Sequence, residues 1–162
     1  MRNTAGVATL ALWIAGSFAV TAQPATRSPR DPFVGRWELN LARTHYGGGA
    51  EPRRRETMLC VPAPGGTRCT IRSVRADGRT LVARFTARYD GAHATVTGLP
   101  EVNGVRLVRV DDSIVDATFD DRGRPVFAYR AVRSDDRRSL TIIAVDPVTR
   151  VPGHSVVVYD AR

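Results

Sequence analysis

Lysine is absent from this chain. All 24 basic residues are arginine, and with 16 acidic residues they leave a formal net charge of +8. A nucleic-acid-binding chain usually mixes the two basic residues and clusters them with aromatics. Here the arginines are spread over nearly every candidate strand, and aromatics make up only 7% of the chain. That pattern argues against nucleic acid as a partner and reads as base composition of the gene rather than a function. Histidine is scarce as well. His45, His93 and His154 lie in three separate segments, with neither a His-x-His nor a His-x-x-x-His spacing, so no metal site is indicated. A haem ligand from His93 or His154 is the lesser reading, and no cofactor is expected. A Gly-x-Ser-x-Gly elbow is missing. Gly153-His154-Ser155 puts a His beside a Ser, but neighbours in a strand face opposite ways. Gly47-Gly48-Gly49 lacks the Gly-Lys-Ser/Thr and the helix of a phosphate-binding loop. The pairs Asp111-Asp112, Asp120-Asp121 and Asp135-Asp136 fall in turns, where aspartates stabilise the reversal and stay wet. No two carboxylates are seen to converge, so the chain is not expected to be an enzyme.

Long apolar runs are confined to the N-terminus. Arg2 precedes an apolar stretch from Val7 to Val20, and Val20-Thr21-Ala22 offers the small residues of a cleavage site. The run is too short for a lasting anchor. We read residues 1–22 as a signal peptide cleaved after Ala22, which predicts a periplasmic or secreted protein of 162 − 22 = 140 residues. Residues 23–32 form a Pro-, Ser- and Thr-containing lead-in, and one domain of 33–162 follows. A chain of that size buries roughly two-thirds of its unfolded surface. Only two cysteines are present, Cys60 and Cys69, flanking the turn sequence Pro62-Ala63-Pro64-Gly65-Gly66. A hairpin there sets them opposite each other, and an exported compartment would join them as a disulfide.

What is abundant is alternation. In Phe33-Val34-Gly35-Arg36-Trp37-Glu38-Leu39-Asn40-Leu41 the residues Phe33, Trp37, Leu39 and Leu41 share one face, and Arg36, Glu38 and Asn40 the other. A period of two marks a half-buried strand. Gly35 leaves room for a large neighbour, and Trp37 is placed to seal one end of a closed sheet. Further strands are predicted from Arg53-Arg54-Arg55 to Val61, over 67–74, 81–89, 92–97, 104–110, 113–119, 125–133, 139–145 and 154–160. The Arg53–Arg55 run reads as a solvated strand end. Turns at Ala76-Asp77-Gly78-Arg79, Asp90-Gly91 and Asp120-Asp121-Arg122-Gly123 separate them. Short consecutive hairpins, with no amphipathic helix, predict an all-β, antiparallel up-and-down barrel of about 8–10 strands, whose closure removes exposed edges.

These pieces together resemble a family of small exported bacterial barrels described as lipocalin-like. The resemblance rests on Asp31 to Asn40, on Phe85-Thr86-Ala87-Arg88-Tyr89-Asp90-Gly91, on Val96-Thr97-Gly98, on Asp120 to Pro125 and on Val156-Val157-Val158-Tyr159-Asp160. Gly35-x-Trp37 is similar to the opening signature of lipocalins, which hold small apolar molecules inside a calycin-type barrel. The resemblance implies an arginine from a late strand packed over Trp37, with Arg130 and Arg162 as candidates. Trp37, Phe85, Tyr89, Phe127 and Tyr129 are the large residues available to line a ligand cavity, or simply to fill the barrel. The expected function is a non-catalytic, monomeric carrier of a small apolar or amphipathic ligand. The alternative is an envelope module with a filled core, whose basic surface meets anionic lipid or lipopolysaccharide.

Overall fold

A computed structural model describes residues 31–47 and 51–162. The stretch read as a signal peptide, most of the expected lead-in and Gly48-Gly49 lie outside the described residues. Ten strands follow in chain order: β1 Gly35–Leu39, β2 Arg53–Ala63, β3 Gly66–Arg75, β4 Thr80–Arg88, β5 Ala94–Thr97, β6 Gly104–Arg109, β7 Ile114–Asp121, β8 Arg124–Arg133, β9 Ser139–Val145 and β10 Pro152–Ala161. Each pairs antiparallel with its sequence neighbours, and β10 returns to β1, which closes an up-and-down barrel. Among the described residues the only helix is a single 3-10 turn, Leu41–Arg43.

The strands form where side chains alternate, and the turns form where backbone or short polar side chains permit reversal. Gly78 adopts φ +87° and donates its N–H to Arg75, and Asp77 accepts from the Arg79 N–H at 2.9 Å. Asp111 caps the Ser113 and Ile114 N–H groups at 2.7 Å each, as an Asx turn does. The two cysteines are direct register partners across β2 and β3 and are joined, with Cα atoms 4.2 Å apart. Both are buried, so the crosslink lies inside the barrel wall.

The interior is filled at one end. Trp37 is 1% exposed and its indole N–H donates to the Phe33 carbonyl at 2.7 Å. Gly35, at φ +149°, sits beneath that indole, and a Cβ there would meet the ring at 3.4 Å. Phe33 stacks on Tyr89 with centroids 6.4 Å apart, and the Tyr89 hydroxyl donates to the Asp31 carboxylate. The arginine over Trp37 is Arg133, with its guanidinium carbon 5.8 Å from the ring centre and a 2.7 Å bond to the Asp31 carbonyl. The two candidates read from the sequence lie elsewhere. Arg130 points outward to Asp116, and Arg162 pairs with Glu38. On β8 the inward parity is that of Phe127, Tyr129, Ala131 and Arg133, which excludes Arg130.

One acidic turn also departs from expectation. Asp120 helps form its turn by accepting from the Gly123 N–H at 2.9 Å, yet it is fully buried rather than wet. Arg106 donates to its other oxygen at 2.9 Å, which compensates the charge. A register shift between Phe119 and Asp120 re-aims this side chain beneath β6.

Candidate functional site

Above the filled end the barrel opens into a cavity of about 440 Å³. β2 and β3 supply Met58 and Ile71. β7, β8 and β9 supply Phe119, Phe127, Tyr129, Ile142 and Ala144, and β10 supplies Val157 and Tyr159. Leu99 and Val102, between β5 and β6, complete the apolar wall. Phe119 organises the aromatic side: it stacks on Phe127 at 4.6 Å, tilts against Tyr129 at 5.6 Å and meets Phe85 edge-on at 6.1 Å. Such offset and edge-on contacts suit the ring quadrupoles.

A polar cluster interrupts this lining. Glu56 is only 4% exposed, and its carboxylate accepts from the hydroxyls of Ser73 and Tyr159. Arg53 pairs with it through Nε at 3.1 Å. Two hydroxyl donors and a guanidinium satisfy a charge that would otherwise be costly to bury. Arg53 is thus a half-buried cavity residue, whereas Arg54 and Arg55 are exposed, as a solvated strand end requires. Burial of Arg53 favours its neutral form, but the Glu56 charge opposes this, and the guanidinium's ionisation is raised above its ordinary value. Burial, aided by the Glu56 charge, raises the ionisation of Tyr159 and Tyr129 well above the ordinary phenol value. Tyr46 is raised too, chiefly by burial.

Tyr46 reaches the cavity because residues 40–47 fold back over β10. Asn40 caps the 3-10 turn by accepting from the Arg43 N–H at 3.1 Å. His45 then bridges to Val156, and the Ser155 hydroxyl both accepts from the Gly47 N–H and donates to its carbonyl, at 2.9 Å each. His154, on the opposite strand face from Ser155, is exposed.

The sequence-predicted aromatics therefore divide. Phe127 and Tyr129 face the cavity. Trp37 and Tyr89 belong to the filled end, and Phe85 packs beneath Phe119 without lining the space. Sequence reasoning passed over Phe119, Glu56, Tyr159, Tyr46 and Ser73. A signal for three of them was present: Glu56 shares the inward parity of Met58 and Cys60, Ser73 that of Ile71 and Cys69, and Tyr159 that of Val157. A carboxylate on an apolar stripe of one strand asks for polar partners on the stripes of its neighbours.

A wider surface depression of about 790 Å³ lies around Arg43, Ser134, Asp136 and Asp160. Its polar groups are occupied with one another: Asp160 accepts from Asn40 and Arg43, and Asp136 accepts from the Ser134 hydroxyl. It is open and shallow, and the enclosed cavity is the better candidate. No group of His, Cys, Asp and Glu suited to a metal ion occurs among the described residues. No protein-family model, curated protein or solved structure matches the chain.

Proposed function

We propose that the protein is a non-catalytic, lipocalin-like carrier whose barrel interior holds one small amphipathic molecule. The single observation behind this reading is the cavity. Its volume of about 440 Å³ falls within the roughly 300–1,000 Å³ usual for small-molecule sites. Its walls are mostly apolar, and its polar groups gather around Arg53 and Glu56. An apolar tail against Met58, Ile71, Phe119 and Ile142 would gain about 25 cal/mol per Å² of buried surface, before association costs. The Arg53 guanidinium keeps N–H groups beyond those bonded to Glu56, so the fitting head carries a hydrogen-bond acceptor. Glu56 is already bonded on both oxygens, which supports a binding role over acid–base work for this carboxylate.

The test is native mass spectrometry after incubation with a mixed fatty-acid and lipid extract. Retention of one bound molecule is expected, and Ile142→Trp, which fills the space, should abolish it. A protein that stays empty, or a variant that retains the same ligand, would remove the carrier reading.

A further inference from the structure

The net charge is not spread evenly around the barrel. Residues 51–90 hold nine arginines against Glu51, Glu56, Asp77 and Asp90, a balance of 9 − 4 = +5, with Glu51 pairing Arg75 and Asp90 pairing Arg88. Residues 104–162 hold ten arginines against nine acidic residues, a balance of 10 − 9 = +1. Strand alternation decides where the excess goes. Glu56 is turned inward, so it is lost to the outer surface, while Arg36, Arg55, Arg68, Arg72 and Arg84 are exposed on β1 to β4. Asp77 is taken by Arg79 at 2.9 Å in the β3–β4 turn. The one acidic residue on this wall, Glu38, pairs with Arg162 at 2.7 Å and more distantly with Arg55 at 3.9 Å. Arg36, Arg68, Arg72 and Arg84 have neither an ion pair nor a side-chain hydrogen bond among the described residues.

Register arranges them in rows. Arg36 lies opposite Leu59, Leu59 opposite Thr70, and Thr70 opposite Arg84. The row on one side is Thr57–Arg72–Val82, and on the other Val61–Arg68–Thr86. Each arginine is thus flanked by threonine or an aliphatic side chain, with no aromatic among them. Leu59 stands 52% exposed amid these charges.

We propose that the outer wall of β1–β4 docks the protein on a bilayer of anionic phospholipid. A guanidinium fork matches phosphate oxygens bidentately, and several unpaired arginines on one face sum their attraction to a charged surface. The exposed Leu59 fits an interface with an apolar phase behind its headgroups. Nucleic acid fits less well: the wall offers no aromatic platform for bases, and no helix or ribbon projects from it into a groove. This wall carries the proposal whether or not the cavity holds a ligand.

Sedimentation with phosphatidylcholine vesicles, and with vesicles of phosphatidylcholine and phosphatidylglycerol in equal parts, tests it. Binding to the anionic vesicles alone is expected, weakening as salt rises. The triple variant Arg68→Gln, Arg72→Gln, Arg84→Gln should lower partitioning on the order of a hundred-fold. Arg122→Gln, Arg124→Gln, Arg137→Gln removes the same charge from exposed turn and strand-end positions of the other side and should change it only several-fold. Arginine-specific labelling of the unmodified protein gives a second readout: vesicles should protect Arg68, Arg72 and Arg84 and leave Arg122, Arg124 and Arg137 reactive. Equal losses in the two variants, uniform protection, equal binding to neutral vesicles, or tighter binding to duplex DNA than to anionic vesicles would each overturn it.

Discussion

At the closed end of the barrel Phe33, Trp37, Tyr89 and Arg133 interlock around one indole, and a disulfide ties β2 to β3 beside them. At the open end the same strands part around a space bordered by Phe119, Phe127 and Tyr129, with Arg53 and Glu56 held by hydroxyls. The contrast separates two uses of one closed sheet. The closed end gains from complementary packing, where an extra or missing methylene is felt. The open end forgoes that packing and keeps room. Stability should therefore reside at the closed end and binding at the open end, and substitutions at the two ends should behave oppositely.

The largest expected effect is at Trp37. Trp37→Ala removes the largest fully buried side chain and should cost about 3–5 kcal/mol, read from urea unfolding. A cost near zero would show that the indole does not support the barrel. Joint replacement Cys60→Ala, Cys69→Ala opens the crosslink of sequence separation 9, and the chain-entropy relation gives about 2.5–3 kcal/mol. Reduction with thiol should lower the thermal midpoint in the same direction.

A sharper test adds volume rather than removing it. Ala87→Leu enlarges a side chain 3% exposed in the filled part and should destabilise by about 1–3 kcal/mol. Ala144→Leu adds the same atoms to the cavity wall, where free space receives them, and should change stability by less than about 1 kcal/mol while weakening ligand retention. Equal costs at the two positions would mean that the ends do not differ in packing.

The smallest effects are those of pH. All four tyrosines, Tyr46, Tyr89, Tyr129 and Tyr159, are raised above the usual phenol value, in each case chiefly by burial. Below about pH 10 both folded and unfolded chains keep these phenols protonated, so this stability is fully present. It is lost above that pH, because the unfolded chain ionises while the folded one resists. Phenolate absorbance should then rise together with unfolding, and independent ionisation of any tyrosine near pH 10 in the folded protein would contradict its burial. At the acid side Asp116 is lowered, first by the Arg130 hydrogen bonds, so its contribution holds above the ordinary carboxylate range and fades as pH falls below it. Chemical denaturation at pH 3 and pH 6 measures the difference.

Much of the architecture is legible in the residues alone. The alternation of Leu81, Ala83, Phe85 and Ala87 against Val82, Arg84, Thr86 and Arg88 is the observed inward and outward division of β4. The Cys60–Cys69 pairing was legible because a short turn sequence between two alternating stretches fixes their register. The cavity was not legible in the same way. Arg53-Arg54-Arg55 resembles a wet strand end, and a bulge between Arg53 and Arg55 is what turns the first of the three toward Glu56. Arg133 was missed because several late arginines share the same local composition, and only strand parity separates them.

The residues in their order determined which stretches extend, where they reverse, and which side chains share a face, because strand period and turn chemistry act over a few neighbours. Only the closed sheet decided that Tyr46, Ser73 and Tyr159 would meet at Glu56, that Arg133 would cover Trp37, and that nearby arginines would gather on one wall without acidic partners. Those encounters depend on register across strands far apart in the chain. Local pattern sets which face a side chain takes, whereas barrel closure sets what waits for it there.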